Sequence, residues 1–478
     1  MSTVTPEFVN KEIFRIVSET ASELGVRAFA IGGYVRDCFL GTPSGDIDIV
    51  VEGSGLDFAR AVGAKTGSYV SYFKNFGTAM MHFKGDEIEF VGARKESYRR
   101  ESRKPVVENG TLEDDQLRRD FTINAMAFSL NEGSFGELVD PFGGIRDLAA
   151  GIIRTPLDPD TTYSDDPLRM LRAIRFATRL STPELEFRIV PESMESMRRM
   201  APRLEILSKE RIADELNKML LCSRPSRAWR LMDEAGLLPG ILPQLSALKG
   251  VETVDGRGHK EIFSHTLAVL DNVAAADTSS NLWLRWAALL HDIGKPSVKK
   301  YVPSVGWTFH GHDLVGSRMV PKIFASLKLP LDEKMKYVKK LVWLHMRPIA
   351  LVDDEVTDSA VRRLLFDAGD DIDDLMLLCN ADITSKNPEK VRRVHANFEL
   401  VKQKLVEVEA KDAIRNFKNP VTGDYIMALY GLEPCNTIGE LKEYVKEAIL
   451  DGRIGNNFEE ADALLRVKAA EMGLKECR

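Results

Sequence analysis

The sequence predicts a multidomain protein with a small α+β domain, a mixed sheet with helices, followed by helical domains. The first 150 residues alternate short apolar segments with segments of helical spacing, whereas the chain from Pro167 to about Leu248 has helical periodicity throughout. A chain of 478 residues is also too long for one hydrophobic core. Two to four domains are therefore expected.

Composition narrows the class of protein. Hydrophobic residues make up 44% of the chain and charged residues 29%, and no apolar run approaches 18 residues, so no membrane span is expected. The N-terminal segment lacks the basic and apolar regions of a signal peptide. The five cysteines are far apart in the sequence and form no C-x-x-C pair, which favours reduced thiols and a cytoplasmic location.

The most informative stretch of the N-terminal domain is IGGYVRDCFLGTPSGDIDIV, residues 31–50. If its end is a strand, Asp46 and Asp48 point to the same face, ~7 Å apart. Paired carboxylates are a hard-oxygen site for Mg²⁺, and the upstream Gly32 and Gly33 allow the backbone to approach phosphates closely. The pattern predicts a metal and triphosphate site; the alternative is an acidic turn that closes a hairpin.

The helical region after this domain is locally basic. Residues 165–230 contain 12 arginines and 2 lysines against 10 acidic residues, in a chain whose net charge is −7. The apolar face of its first helix consists of Leu168, Leu171, Ile174 and Phe176. The basic surplus fits contacts with phosphates, although a solvated helix face explains the charge equally well.

A family resemblance follows from the order of the motifs. The first half of the chain resembles the bacterial class II tRNA nucleotidyltransferases, the CCA-adding enzymes of the DNA polymerase beta-like superfamily. The motifs that carry the resemblance are GGYVRD with GDIDIV, RRDFTINAMAF, DPFGGIRDLAAGIIR, DDPLRMLRAIRF and LSKERIADELNKML. The resemblance implies a DNA polymerase beta-like nucleotidyltransferase head.

The resemblance also implies roles for individual residues. Asp46 and Asp48 would be the catalytic carboxylates and would hold Mg²⁺ for nucleotidyl transfer. Glu89, in the segment EIEFV, would be a third metal ligand, with a structural surface glutamate as the equal alternative. The nucleotide-binding residues implied by the family motifs are Gly32, Gly33, Arg36, Arg119, Asp120, Asn124, Asp166, Arg169, Arg172 and Arg175.

The motif DDPLR is predicted to select the base. In the family, its last Asp and its Arg offer hydrogen bonds to the Watson–Crick edge of CTP or ATP, so these roles would pass to Asp166 and Arg169, expected three apart on one helix face. Asp165 departs from the usual glutamate of the family, which leaves the role of that residue open. The alternative for the motif is an acidic helix start.

The segment from Arg94 to Lys104 carries six basic residues against two acidic ones, and Pro105, Asn109 and Gly110 are expected to interrupt regular structure. It resembles the family's flexible loop, which is thought to reorganise the site when specificity changes from C to A. A disordered surface loop is the alternative.

The segment from Val251 to about Asn387 contains six of the eight histidines. Its motifs are similar to those of HD phosphohydrolases, which implies a site for an unspecified divalent metal and a possible role for Lys295 in phosphate contact. The implied ligands are His265, His291, Asp292, His312, His345 and Asp382, with His312 preferred to His310.

These observations predict a cytoplasmic enzyme that adds or repairs the 3′-terminal CCA of tRNA from CTP and ATP, fused to an HD domain. The alternatives are a poly(A) polymerase, an enzyme that adds only CC or only A, and an HD metallohydrolase with an RNA-binding N-terminal half. The sequence does not specify the oligomeric state or the HD substrate. The predicted domains are a head (1–155), an all-α neck and RNA-binding domain (156–250), an α-helical HD domain (251–390) and a helical tail (391–478).

Overall fold

The computed structural model describes residues 9–75, 77–99, 102–254, 257–258, 261–353, 357–384, 388–412 and 417–477. The chain divides into two compact units. Unit 1 comprises Met1–Cys222 and Arg227–Pro243, and unit 2 comprises Ser223–Ser226 and Gln244–Arg478. This division groups the predicted head with the neck and the predicted HD domain with the tail, so the four separate domains stay a prediction.

A seven-stranded mixed sheet forms the N-terminal part of unit 1. Its strands are β1 (Ala28–Ile31), β2 (Asp46–Val51), β3 (Val70–Phe73), β4 (Thr78–Phe83), β5 (Asp86–Gly92), β8 (Ala127–Ser129) and β9 (Leu138–Val139). The strand order is β3-β4-β5-β2-β1-β8-β9, in which β2 and β5 run parallel and the other neighbours antiparallel. The small mixed sheet predicted from the sequence is confirmed.

Helices pack against this sheet. The helices of this part are α1 (Glu12–Leu24), α2 (Gly33–Phe39), α3 (Gly55–Thr66), α4 (Leu112–Leu117) and α5 (Gly144–Ala149), with a 3₁₀ turn over Thr122–Asn124. Ser54 caps α3 by accepting a hydrogen bond from the Asp57 N–H. The α3 helix packs on β4 and β5, where the rings of Phe58 and Phe90 lie 6.0 Å apart. The parallel pairing of β2 with β5, in which Ile49 lies opposite Phe90, sets the register of β5.

The basic segment after β5 differs from its prediction. Two antiparallel strands, β6 (Arg94–Arg99) and β7 (Ser102–Asn109), occupy the stretch expected to lack regular structure. The prediction was wrong because Pro105 was expected to interrupt regular structure. The pairing of the two strands shifts register between Ser97 and Arg99, and Pro105 lies in this irregular stretch. A proline is tolerated there because its missing N–H is not needed for strand pairing. The open end of the hairpin lies next to β5 in the chain, and there the Gly110 N–H donates a hydrogen bond to the Ala93 carbonyl.

The rest of unit 1 is mainly helical, as predicted, although one short strand falls within the range expected to be all-α. Its elements are α6 (Pro159–Asp165), α7 (Leu168–Arg179), α8 (Pro191–Met200), α9 (Lys209–Leu220), α10 (Ser226–Glu234) and α11 (Leu238–Ile241), with a 3₁₀ helix over Ala201–Ile206 and a two-stranded pair of β10 (Ile152–Ile153) and β11 (Arg188–Ile189). The short helix α12 (Pro243–Ser246) starts at the last residue of unit 1 and continues into unit 2. The predicted apolar face of α7 is buried. Packing of α7 against α9 places the arginines of α7 beside the sheet.

Unit 2 is built from helices and two short hairpins. Its helices are α13 (Ile262–Ala276), α14 (Leu282–Leu290), α15 (Lys295–Val298), α16 (His312–Leu327), α17 (Glu333–Leu344), α18 (Met346–Asp353), α19 (Asp358–Ala368), α20 (Ile372–Ala381), α21 (Pro388–Asp412), α22 (Gly423–Tyr430), α23 (Asn436–Leu450) and α24 (Phe458–Glu471). The hairpins pair β12 (Thr253–Val254) with β13 (Arg257–Gly258) and β14 (Lys300–Val302) with β15 (Gly306–Thr308). Among the described residues, no helix is long and apolar enough to span a membrane.

Candidate functional site

Three carboxylates share one face of the sheet in unit 1. Asp46 and Asp48 lie two residues apart on β2, and Asp48 is the direct partner of Glu89 on the parallel strand β5. Because paired residues of neighbouring strands point to the same side, the three side chains converge. The predicted Glu89 is thus in register with the aspartate pair.

The electrostatics of this group suit a cation. Burial raises the pKa of Asp48, and the opposing charge of Arg119 does not cancel the effect. Burial and the neighbouring charge of Asp48 also raise the pKa of Glu89. Clustered oxygen donors whose charged forms are disfavoured gain from a hard divalent ion, so this donor set fits Mg²⁺.

A glycine turn brings the backbone to the carboxylates. Gly32 follows β1 with φ +86°, and a Cβ built there would lie 2.6 Å from Nη1 of Arg119 and 3.2 Å from Oδ2 of Asp48. Any side chain at this position would therefore be both strained and in collision. Gly33 opens α2 directly after the turn, so the close approach predicted for this glycine pair is present.

Two arginines beside the turn are held by a buried carboxylate. Asp115 is fully buried and accepts hydrogen bonds from Arg118 at 2.6 and 2.9 Å and from Arg119 at 3.2 Å. Arg119 in turn lies 4.0 Å from Asp48. Sequence reasoning missed Asp115 and Arg118, although the i,i+3 and i,i+4 spacing to the two arginines was a readable signal.

A second network joins the predicted phosphate and ribose residues. Arg36 is buried and donates to Asn124 at 2.6 Å, and Asn124 donates to Asp120 at 2.9 Å. Arg172 closes the chain with a 2.7 Å bond to Asp120. Burial alone would raise the pKa of Asp120, but Arg172 and Asn124 outweigh it, so that pKa lies below its ordinary value. These four side chains fix one another.

The structure of the DDPLR motif differs from the expectation that Asp166 and Arg169 lie on one helix. Asp166 does not lie on the same helix as Arg169, because α6 ends at Asp165 and α7 begins at Leu168. Pro167 explains the break, since the residue before a proline disfavours helical backbone. The Asp166 carboxylate accepts from the Leu168 N–H at 3.1 Å and from Arg211 at 3.3 Å.

Arg169 and Arg175 face different partners. Arg169 donates to the carbonyl of Arg118 at 2.5 Å. Arg175 is buried against Glu215 of α9, with a distance of 2.6 Å between Nε and Oε2. The guanidinium of Arg175 therefore serves helix packing as well as lining the site.

One cavity of about 560 Å³ unites these groups. Every predicted metal- or nucleotide-binding residue of unit 1 lines it except Gly32, which lies beneath Arg119 and Asp48. The carboxylates of β2 and β5 form one part of the lining and arginines form much of the rest. Arginines missed by sequence reasoning are Arg118, Arg179 and Arg211. A volume of this size accommodates a nucleotide, and the charge pattern suits a triphosphate with a divalent ion.

A second cluster lies in unit 2 and contains all six predicted HD ligands. Asp292 is shared by two groups that could each hold a metal ion, one with His265 and His291 and one with His312 and His345. Asp382 joins the first group, with Oδ1 2.8 Å from Nε2 of His265.

Backbone carbonyls orient the histidines of this cluster. Nδ1 lies 2.8 Å from the Ala288 carbonyl in His291, 2.8 Å from the Phe309 carbonyl in His312, and 2.7 Å from the Val342 carbonyl in His345. A proton on Nδ1 leaves Nε2 as the ligand atom. Nε2 of His291 is buried and has no hydrogen bond of normal geometry to the described residues. This donor set fits a divalent metal.

Neighbouring charges in the cluster shift the pKa values of its histidines. Burial opposes protonation of His291, but Asp292 and Asp382 outweigh it and raise the pKa of His291 to about 10. Burial and the charge of His291 lower the pKa of His345 to about 4. Lys295 lies 2.6 Å from Asp292, at the edge of the cluster. His310 is exposed and outside both groups.

Three family models match the chain. They are "Poly A polymerase head domain" over residues 28–154, "Probable RNA and SrmB- binding site of polymerase A" over residues 186–249, and "HD domain" over residues 262–386.

Curated relatives match most of the chain. The A-adding tRNA nucleotidyltransferase of Deinococcus radiodurans is 32% identical over 459 residues, which span 93% of this chain and 96% of the relative. The multifunctional CCA protein of Ralstonia nicotianae is 36% identical over 318 residues, 64% of this chain and 70% of the relative.

Solved structures share the fold. A CCA-adding enzyme in its apo form I superposes with a TM-score of 0.64 at 23% identity, covering 97% of this chain and 95% of the other. A Thermotoga maritima CCA-adding enzyme complexed with tRNA gives a TM-score of 0.60 at 22% identity, covering 98% and 97%.

Proposed function

The chain belongs to the family of tRNA nucleotidyltransferases, and on that premise we propose that it adds or repairs the 3′-terminal CCA of tRNA with CTP and ATP, releasing pyrophosphate. The observation that carries the proposal is the convergence of Asp46, Asp48 and Glu89 at an arginine-lined cavity of nucleotide size. An HD hydrolase whose N-terminal half only binds RNA would have no use for this carboxylate group.

The three carboxylates would hold Mg²⁺. When bound, the ion neutralises charge on the triphosphate and lowers the pKa of the attacking 3′-hydroxyl. The Gly32–Gly33 turn admits the triphosphate close to the backbone. Arg119, fixed by Asp115, donates to phosphate oxygens beside the metal ligands.

Asp166 and Arg169 would read the base. A carboxylate accepts from the exocyclic amino group that cytosine and adenine share, and a guanidinium donates to their ring nitrogen or carbonyl. Leu168 and Arg211 hold the Asp166 carboxylate on the cavity wall, which pre-organises the acceptor. UTP and GTP present the opposite pattern.

The test of catalysis is Asp48→Asn, which keeps the size of the side chain and removes its charge. We expect nucleotide addition to tRNA to fall at least ~100-fold, about 2.7 kcal/mol in the barrier, while tRNA binding persists. Asp57→Asn is the control, because Asp57 is an exposed carboxylate of α3 outside the cavity. Retention of more than about a tenth of the activity in Asp48→Asn would remove the metal-ligand role.

The histidine cluster supports a second activity in unit 2. It would hold a divalent metal for hydrolysis of a phosphate ester, with Lys295 placed to contact the phosphate. His291→Ala should abolish metal retention by the cluster, measured by elemental analysis as a fall in Mn²⁺ content after loading, and leave nucleotide addition unchanged. His310→Ala is the matched control, since His310 is exposed and outside the cluster. Equal Mn²⁺ content in wild type and His291→Ala would contradict the assignment.

A further inference from the structure

The sheet face that carries the carboxylates continues beyond them. Asp48 pairs with Glu89 on β5, Glu89 pairs with Met80 on β4, and Met80 pairs with Ser71 on β3. Residues paired in this way point to the same face. The catalytic face therefore reaches the edge strand β3.

An exposed aromatic ring stands at the end of this face. Phe73 pairs with Thr78, and Thr78 pairs with Val91, which lines the cavity. A hydrogen bond between the side chains of Thr78 and Glu89 confirms independently that this row faces the carboxylate side. Phe73 is 44% exposed, so part of its ring is accessible from this face.

The geometry of the reaction separates the two substrates across β2. In an in-line displacement, the attacking oxygen and the leaving pyrophosphate lie on opposite sides of the reacting phosphorus. The triphosphate site is at the Gly32–Gly33 turn, which follows β1 on one side of β2. The attacking 3′-hydroxyl must then approach from the other side, over β5 and Glu89.

The RNA end that carries this hydroxyl lies over β5, β4 and β3. Neighbouring strands are ~4.8 Å apart, so the β3 backbone is ~10 Å from β5, about the length of one nucleoside. Phe73 lies in line with Val91, ~7 Å further along the strand than the row of Glu89. A base whose ribose lies between Glu89 and Val91 would reach the ring of Phe73. Exposed aromatic side chains on open sheets are a recurrent platform for single-stranded RNA bases.

We infer that Phe73 stacks on the base of the 3′-terminal nucleotide of the RNA that accepts the incoming nucleotide. The inference rests on the proposed function, since it uses the positions of the metal and triphosphate sites. Stacking is indifferent to base identity, which suits an acceptor end whose last base changes as nucleotides are added. Phe73 is thus a positioning residue for the nucleophile.

The chain offers a closely matched control. Tyr72 is the preceding residue of β3, and its ring is also exposed, at 39%. It points to the opposite face, where Arg60 lies 5.8 Å from the ring centroid. Phe73→Ala and Tyr72→Ala therefore remove similar rings from one strand and differ in the face affected.

The first readout is steady-state kinetics of the full-length protein with a tRNA lacking CCA. Phe73→Ala should raise the KM for tRNA about 10-fold and leave the KM for CTP unchanged, since one base stack is lost and the triphosphate site is intact. Phe73→Trp should restore the wild-type KM, and Tyr72→Ala should match the wild type. A rise in the KM for CTP would assign the ring to the incoming base instead and overturn the inference, as would equal effects of both alanine variants.

The second readout does not need catalysis. A tRNA with 2-aminopurine at its 3′ terminus should lose fluorescence on binding to wild type, Tyr72→Ala and Phe73→Trp, and keep it on binding to Phe73→Ala. Equal quenching by Phe73→Ala would overturn the inference. If the wild type quenched the probe in a Phe73-dependent way and yet added no nucleotide, the proposed function would fail while the contact with the RNA end stood.

Discussion

Asp166 and Arg169 each make a structural hydrogen bond and also line the cavity. Asp166 accepts the first free N–H of α7, which is the acidic helix start considered from the sequence, and it also lines the cavity with Arg169. Both interpretations of the motif therefore describe the same carboxylate. The nucleotide preference of variants at these two residues distinguishes the two interpretations.

Arg169→Ala should weaken base discrimination without abolishing chemistry. Mismatched polar groups in a closed pocket cost ~1–3 kcal/mol each, so misincorporation of UTP and GTP should rise about 10-fold relative to CTP and ATP. Single-nucleotide incorporation assays with each triphosphate measure this ratio. Arg188→Ala is the control, because Arg188 is exposed and outside the cavity. If Arg169→Ala kept the wild-type nucleotide preference and lost only stability, the motif would be no more than a helix start.

Asp120 is expected to make a pH-dependent contribution to the free energy of unfolding. Its pKa in the folded protein is lowered by Arg172 and Asn124 despite burial, so its stabilising effect is complete above the unfolded pKa of ~3.9 and is lost as the pH falls through the folded value. Asp120→Asn should reduce the free energy of unfolding by about 1–3 kcal/mol near neutral pH. Urea denaturation without nucleotide should show this difference shrinking below pH ~4; a constant difference between pH 3 and 7 would contradict the assignment.

At the scale of elements, sequence patterns predicted the strands and helices that bury a regular apolar face. The segments that became β1, β2, β4 and β5 alternate or are continuously apolar, and α7 has one apolar stripe, so periodicity sufficed. The hairpin of β6 and β7 and the break at Asp166 were not predicted. Both depend on where a proline falls relative to pairing or helix registers, which local composition does not reveal.

A buried ion pair between α7 and α9 was not revealed by the sequence. Arg175 was expected at the nucleotide, yet its guanidinium binds Glu215, whose position in space depends on tertiary packing. Arg175 nevertheless lines the cavity. The spacing of Asp115 to Arg118 and Arg119 was readable in the sequence, but only the fold shows that this carboxylate is fully buried.

Glu215→Ala should destabilise unit 1 strongly. It leaves the buried Arg175 without its carboxylate, which typically costs ~3–5 kcal/mol. Asp214→Asn is the control on the same helix, because Asp214 forms an exposed pair with Lys218, and should cost at most about 0.5 kcal/mol. Free energies of unfolding from urea denaturation compare the two; similar small losses would mean that the α7–α9 contact does not depend on this pair.

At the scale of the whole molecule, the order of motifs along the chain was more informative than any single motif. Each of the two sites collects residues that are distant in sequence: Asp48 with Arg169 in unit 1, and His265 with Asp382 in unit 2. The joint presence of the motifs in this order predicted the family correctly. The sequence could not supply distances, nor show which arginines complete the cavity, because these follow from packing of the helices on the sheet.

One cavity is expected to add C, C and A in order to tRNA. The most direct measurement incubates the purified protein with three tRNAs, ending at the base before CCA, at the first C and at the second C, with each nucleoside triphosphate alone and with CTP and ATP together. We expect that CTP extends the first tRNA by two residues and the second by one, that ATP extends only the third, by one, and that UTP and GTP extend none. Addition of A alone with no use of CTP, a stop after CC, or long A tracts on any RNA would contradict it.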